Sequence, residues 1–392
     1  MRSNILAAVL TTTTLALSLA ACGGEEPQPQ PPPPPPPPPP TASAPAPVDT
    51  TPPPPPPKPA LAELIPPALK GFGAAFNAHD AAKLASFATE DVTAIDYGQG
   101  ETHGRAEYQS MFTKLFGMFP DIKSAPTRVF VKGNTVVLEI AWTATMSVPV
   151  MGMKATNKPV GGLRAHVVFF NDDGLIKEEH EYADQGGIVA QMSGNKAAPP
   201  VPALPTNPPE MHIAGGDPGN DKLDDWARAG DEVMSKHDVN AILALYADDG
   251  DYWINFGGPA MKGKKALGAG LQGWLKAFPD QTWASKPTDA WGLEGFAIIE
   301  HQMSGTQKGA LGPIHATNKP VMNWHFLDIL QPNKDGKVLH GWGYGNTFEM
   351  MAQTGALHKP GDAAAKPAPK AQAKGGSLAP TPAPAPAPAP KK

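Results

Sequence analysis

Apolar residues recur at helical spacing over residues 68–76 and again over 105–119, where Tyr108, Met111, Phe112, Leu115 and Phe116 share one side. Pro66 and Pro67 fit just before or inside the first turn of the earlier helix, and Pro120 stops the later one. Asp80 stands where a cap would open a short helix carrying Leu84 and Phe87. Elsewhere the pattern shifts to alternation, and residues 91–97, 127–131, 135–146, 159–170 and 175–184 read as strands. Asn171-Asp172-Asp173-Gly174 makes a hairpin turn between the last two. The same order then returns, with helices predicted over 221–236 and 266–278 and strands over 296–306, 320–330 and 337–346. Helices followed by consecutive antiparallel strands predict an α+β class, with helices packed on one face of a curved sheet.

The return is not only in pattern. Ala-Thr-Asn-Lys-Pro-Val occurs from Ala155 and again from Ala316. His79-Asp80 answers His237-Asp238, and Phe119-Pro120-Asp121 answers Phe278-Pro279-Asp280. Gly104 answers Gly263, Tyr182 answers Tyr344, and Ala190-Gln191 answers Ala352-Gln353. The offset drifts from 158 to 162, which reads as small loop insertions. A solenoid repeat spans roughly 20–50 residues. This period instead implies two tandem domains, 61–194 and 221–358, joined by a Pro/Gly-rich linker over 195–220.

The ends have a different composition. Residues 1–21 carry one arginine, a short apolar run and small residues before Cys22, the pattern of a secretory signal. Leu19-Ala20-Ala21-Cys22 resembles a bacterial lipoprotein signal, so Cys22 is expected to be lipidated and to hold the exported protein to a membrane, the outer one being expected. Cys22 is the chain's single cysteine and has no disulfide partner. Residues 22–60 are dominated by proline and predict a semi-rigid stalk, about 100 Å if fully stretched at ~3.1 Å per residue. The Ala/Pro/Lys tail over 359–392 reads as disordered and basic. The net charge of −5 gives no reason to expect nucleic acid. Scattered histidines without paired spacing give no metal site, and neither a phosphate-binding glycine loop nor a nucleophile elbow occurs. No cofactor is expected.

The ordered motifs Phe119-Pro120-Asp121, Ala155-Thr156-Asn157-Lys158-Pro159, Asp173-Gly174 and the run from Asp184 to Gln191 resemble the SnoaL-like polyketide cyclase group of the NTF2-like superfamily. The resemblance covers both globular parts and neither tail. His180 departs from the family pattern, which has tryptophan there, and Met192-Ser193-Gly194 replaces the usual Leu-Gly. The resemblance implies two cone-shaped domains, each a curved sheet wrapped around a pocket and closed by helices. Relatives include ring cyclases, isomerases and dehydratases, and many members only bind a ligand or partner, so fold constrains function poorly. Superfamily members often dimerise through the sheet face, so the two copies here are expected to pair either with each other, as an internal pseudo-dimer, or with a second chain.

By that resemblance Asp184 matches the cyclases' acid/base aspartate, a role that needs a carboxyl whose pKa an apolar pocket raises. Capping the next helix is the plainer alternative for Asp184. His180, Tyr182 and Asp184 alternate and are expected on one strand face, where Tyr182 could donate to an oxyanion or merely line the wall. Arg164 and His166 alternate on the partner strand, with register left open. Glu139 answers Glu300 inside a strand, where an outward ion pair is the commoner arrangement. In the second copy Asn346 replaces Asp184, so that acid/base role is absent. His340, Trp342, Tyr344 and Asn346, with His325 in the place of Arg164, suit ligand binding or packing against the sister domain.

Two functions follow as expectations. The first is an envelope protein that binds a small hydrophobic ligand or a partner without catalysis. The second is a cofactor-independent cyclase or isomerase using Asp184, Tyr182 and His166, in the first domain alone. The anchoring expectation has a direct check. Cys22→Ser should release the protein from the membrane fraction, and continued retention would overturn it.

Overall fold

The computed structural model describes residues 59–214, 219–286, 288–311 and 314–356. The expected signal peptide, Cys22, nearly all of the stalk and the tail from 359 lie outside the described residues. The first domain opens with α1 (Leu61–Asn77), which carries Pro66 and Pro67 inside it, and α2 (Ala81–Ala85). Asp80 caps α2 by accepting the Lys83 amide at 2.8 Å. There follow β1 (Ala88–Asp96), β2 (Gly100–His103), α3 (Arg105–Met118), β3 (Lys123–Lys132), β4 (Thr135–Thr145), β5 (Pro159–Phe170), β6 (Ile176–Ala183) and α4 (Gln185–Met192). β7 (Glu210–Ile213), inside the expected linker, joins the first sheet beside β3. The second domain comprises α5 (Gly219–Ser235), α6 (Val239–Ala244), β8 (Tyr246–Ile254), β9 (Met261–Lys262), α7 (Gly263–Ala277), β10 (Thr282–Ala284), β11 (Ala290–Leu293), β12 (Phe296–Thr306), β13 (Pro320–Pro332), β14 (Val338–Gly345) and α8 (Thr347–Thr354).

The sheet orders are β2-β1-β6-β5-β4-β3-β7 and β10-β12-β13-β14-β8-β9, with β11 also on β12. The strands from β3 to β6 form the expected antiparallel meander. β1 joins β6 in parallel, as β8 joins β14, so both sheets are mixed.

The repeated motifs hold the scaffold. Asp121 accepts the Thr145 amide at 2.8 Å, and Asp280 accepts the Thr306 amide at 2.7 Å, pinning each long helix's end to a strand. The His79 ring bonds the Ile122 carbonyl at 2.8 Å, and the His237 ring bonds that of Gln281 at 2.6 Å. Asn157 and Asn318 take left-handed backbone angles (φ 53° and 56°) in the two copies of the hexamer, a conformation asparagine tolerates.

The helix-free faces of the two sheets pack against each other. Phe130, Val137, Val167 and Tyr182 of the first domain share one buried cluster with Phe296, Ile298, Leu327, Ile329 and Tyr344 of the second. Two carboxylates lie in this apolar layer, with Glu139 3% exposed and Glu300 8% exposed. Buried charges need partners. Each finds one phenol on the opposite domain: Tyr344 donates to Glu139 at 2.5 Å and Tyr182 donates to Glu300 at 2.6 Å. Arg128 donates to both Glu139 oxygens from one guanidinium edge, through Nε and Nη2, and stacks 3.7 Å from the Trp342 ring. His180 reaches across to Glu300 at 2.7 Å and also contacts Glu178 at 2.8 Å.

Burial opposes charge on His180, but Glu300 and Glu178 hold its pKa up at about 9, against an ordinary 6.5. A raised folded-state pKa contributes stability that is complete below the unfolded value and lost as pH rises through the folded one. Denaturant stability should therefore fall between about pH 6.5 and pH 9. His180→Gln should flatten that fall, and an unchanged pH slope in the variant would contradict the pairing.

Candidate active site

The concave faces of the two sheets differ because one residue has been added inside a strand. In the first domain Glu139 pairs with Ala165, and in the second Glu300 pairs with Leu327. The second pairing shifts register between Met303 and Gly305, where Asn323 has a φ of 52°. This is a β-bulge, and a one-residue shift exchanges the side chains on the two faces. Past the bulge, Phe326 rather than His325 stands in the place of Arg164. Asp328 stands in the place of His166, and His301 in that of Ile140.

In the first domain the concave face is occupied. Leu69 and Phe72 of α1 pack into the core, with Phe72 against Phe87 and Phe112. Glu179 of β6 accepts from Tyr108 at 2.6 Å and pairs with the His166 ring at 2.6 Å. Burial pushes the Glu179 carboxyl up, but His166 and Tyr108 bring it below the usual range. Glu181 pairs with Arg164 at 3.0 Å. His166 is thus held by Glu179 through Nδ1, while its Nε2 is buried without a hydrogen-bond partner.

The second domain replaces those residues with small ones. α1 and α5 both have 17 residues, and the offset of 158 that relates His79 to His237 puts Ala227 in the place of Leu69 and Gly230 in that of Phe72. Gly341 and Gly343 take the places of Glu179 and Glu181. The space left is a cavity of about 490 Å³, walled by aromatic rings including Trp226, Trp274, Trp283, Phe256 and Phe326. All three indole N–H groups are tied back: Trp226 to the Gly336 carbonyl, and Trp274 and Trp283 to the Gln281 side chain. These indole N–H groups are therefore already engaged by protein acceptors.

One polar group of residues interrupts this lining. Asp231 comes from α5, His301 from β12, Asp328 from β13 and Tyr252 from β8. The His301 Nδ1 lies 2.8 Å from an Asp231 oxygen, and its Nε2 lies 3.6 Å from Asp328. Tyr252 donates to the other Asp328 oxygen at 2.8 Å. The His301 Nε2 and the second Asp231 oxygen are buried without a hydrogen-bond partner. Burial raises the Asp328 pKa, Asp231 adds to the rise, and His301 and Tyr252 partly offset it. Burial opposes charge on His301, yet Asp231 and Asp328 keep its pKa raised. Among the described residues, no group of three or more His, Cys, Asp or Glu is arranged to hold a metal ion.

Family profiles match both domains. The SnoaL-like polyketide cyclase profile matches residues 68–192, and the SnoaL-like domain profile matches residues 227–340. The chain carries two SnoaL-like domains in tandem. Similar solved structures include AclR, a candidate hydroxylase from Streptomyces galilaeus, at 19% identity over 34% of this chain and 98% of that one, with a TM-score of 0.31. IdmH, a candidate polyketide cyclase from Streptomyces antibioticus, is 20% identical over 32% of this chain and 96% of its own, with a TM-score of 0.30. A candidate polyketide cyclase from Xanthomonas campestris is 17% identical over 34% of this chain and 99% of its own, with a TM-score of 0.31. No curated protein matches.

The residues singled out in the sequence lie apart from the cavity of the second SnoaL-like domain. Asp184 caps α4, with one oxygen accepting the Gly187 amide at 2.9 Å and the Thr347 hydroxyl at 2.8 Å. Burial raises its pKa against those two bonds. Its expected neighbours Tyr182 and His180 instead face Glu300 across the domain interface, because β6 ends at Ala183 and alternation stops there. His325 pairs with Glu349 at 2.7 Å and stacks on Tyr97 of the first domain at 3.7 Å. Tyr344 and Trp342 meet Glu139 and Arg128, and the Asn346 amide donates to the Glu181 carbonyl at 3.3 Å. His340 pairs with Asp251 at 3.2 Å. Sequence reading passed over Asp231, Tyr252, His301 and Asp328. The available signal was a carboxylate and an imidazole inside otherwise apolar strands, at Asp328 and His301.

Gly343 positions Tyr252 in this SnoaL-like domain, since a Cβ there would stand 2.1 Å from the phenol oxygen. Gly343→Ala should displace Tyr252 from Asp328 and cost about 1–3 kcal/mol in thermal or denaturant unfolding. In a Tyr252→Ala background the cost should shrink, giving a coupling of about 0.5–3 kcal/mol. Strictly additive costs would contradict the placement.

Proposed function

We propose that the protein binds a small, largely apolar molecule in its second SnoaL-like domain, and does so at the cell envelope, tethered through Cys22. The cavity of about 490 Å³, with its four-residue polar group, carries this reading. Pockets that take small molecules are concave and mostly apolar, with a few convergent polar groups. The first domain's filled concave face makes it a structural partner to the binding domain. The signal-like segment before Cys22 supports the tether.

A second reading, acid/base catalysis, is favoured by one observation: Asp328 is a largely buried carboxyl, its side chain 15% exposed, with a raised pKa beside an imidazole that Asp231 orients. On this reading Asp328 would take and return a proton next to a substrate carbonyl. It moves the chemistry expected of Asp184 to the other domain.

Adamantanol serves as a compact neutral probe, with the wall tryptophans as reporters. The full chain should show a saturable fluorescence change. Gly230 lines the cavity, and no atom lies within 4 Å of where its Cβ would stand. Gly230→Phe, which restores the residue of the first copy, should fill the space and abolish the response. The chain should remain folded, because glycine in a helix interior is itself unfavourable. An equal response in a folded variant would overturn the assignment. For the second reading, hydrogen–deuterium exchange next to the carbonyl of cyclohexanone should be accelerated and lost in Asp328→Asn. Exchange no faster than in buffer would leave binding alone.

A further inference from the structure

We propose that the cavity of the second domain selects a small apolar amine, bound as its ammonium against Asp328. This rests on the binding reading above and narrows it by charge. The titratable groups lining the cavity are Asp231 on α5, Tyr246 and Tyr252 on β8, His301 on β12 and Asp328 on β13. No lysine or arginine lines it among the described residues. Asp231 has its counter-charge in His301 at 2.8 Å. Asp328 only shares it: the His301 Nε2 at 3.6 Å is within ion-pair reach but too long for a hydrogen bond, and the hydrogen bond Asp328 makes among the described residues comes from the neutral Tyr252 hydroxyl.

One imidazole thus stands between two carboxylates, and Asp328 is the surplus one. A buried carboxylate is stable when paired or when protonated. Burial raises the Asp328 pKa, so a second positive charge beside it is favoured. A ligand ammonium would supply that charge and bring two carboxylates, one imidazolium and one ammonium to neutrality. The walls fit the same occupant. Trp226, Trp274, Trp283, Phe256 and Phe326 line the space, and an aromatic π-face attracts a cation most strongly where it is desolvated. An anionic ligand would meet two carboxylates with a single, already engaged imidazole to offset them.

A matched set of adamantylamine, adamantanol and adamantanecarboxylate tests this with the full chain, by calorimetry or tryptophan fluorescence at neutral pH. The three share one apolar body and differ in charge. The amine should bind at least about tenfold more tightly than the alcohol, which corresponds to one counter-charged contact, and the carboxylate most weakly. In Asp328→Asn the amine's advantage should vanish while adamantanol still binds, which also shows that the variant is folded. If the alcohol matches the amine, or the carboxylate binds best, the amine proposal falls and the binding site stands. If none of the three binds, the binding reading fails with it.

Discussion

The exchange of two phenols for two buried carboxylates across the domain interface is the constraint on which the rest depends. Glu139 and Glu300 sit at equivalent places in the two sheets, inside an apolar layer where an unpaired carboxylate would cost several kcal/mol. Tyr344 answers one and Tyr182 the other, so each domain completes the hydrogen bonding of its sister. Hydrogen bonds to charged groups are worth about 1.5–3 kcal/mol each. Neither domain can satisfy its own carboxylate in the same way if the other is removed. The pairs thus tie the two copies into one unit and fix which sheet face is turned inward.

That arrangement leaves the opposite faces free to diverge, and they have. In the first copy the concave face is filled by Leu69 and Phe72 and sealed by Glu179 with His166 and Glu181 with Arg164. In the second the corresponding positions are Ala227, Gly230, Gly341 and Gly343, and the room is taken by a cavity and by Tyr252 lying close over β14. One copy has become a rigid partner and the other has kept an interior. The same β-strand carries both roles on adjacent residues, since Glu300 faces the sister domain and His301 faces the cavity.

Much of the fold was readable from residue pattern. The helices around Tyr108 and Leu267, the long strands and the tandem organisation followed from apolar spacing and from the repeated motifs, and those motifs proved to be scaffold contacts such as Asp121 to Thr145. The mixed pairing of β1 with β6, and the strand β7 in the expected linker, depend on non-local contacts that local pattern does not encode. The site was less readable. Alternation correctly grouped His180 with Tyr182, but nothing local says which face of a strand meets a sister domain. The bulge near Asn323 shifted the register by one residue, so His325 was set against Arg164 in place of Phe326, and Asp328 as the counterpart of His166 was passed over. The decisive residues in the second copy were absences of bulk, and glycine in a strand is also consistent with a turn or a close backbone approach.

The central claim is that a ligand-sized interior lies in the second domain, between α5, α7 and the concave face of β12 and β13. A crystal structure of the full chain soaked with adamantanol tests it most directly. The account predicts one bound molecule per chain, seated among Trp226, Trp283, His301 and Asp328, with the side chains around Glu179 in the first domain undisturbed. A molecule bound beside His166 and Glu179, or one lying between the domains near Asp184, would contradict it.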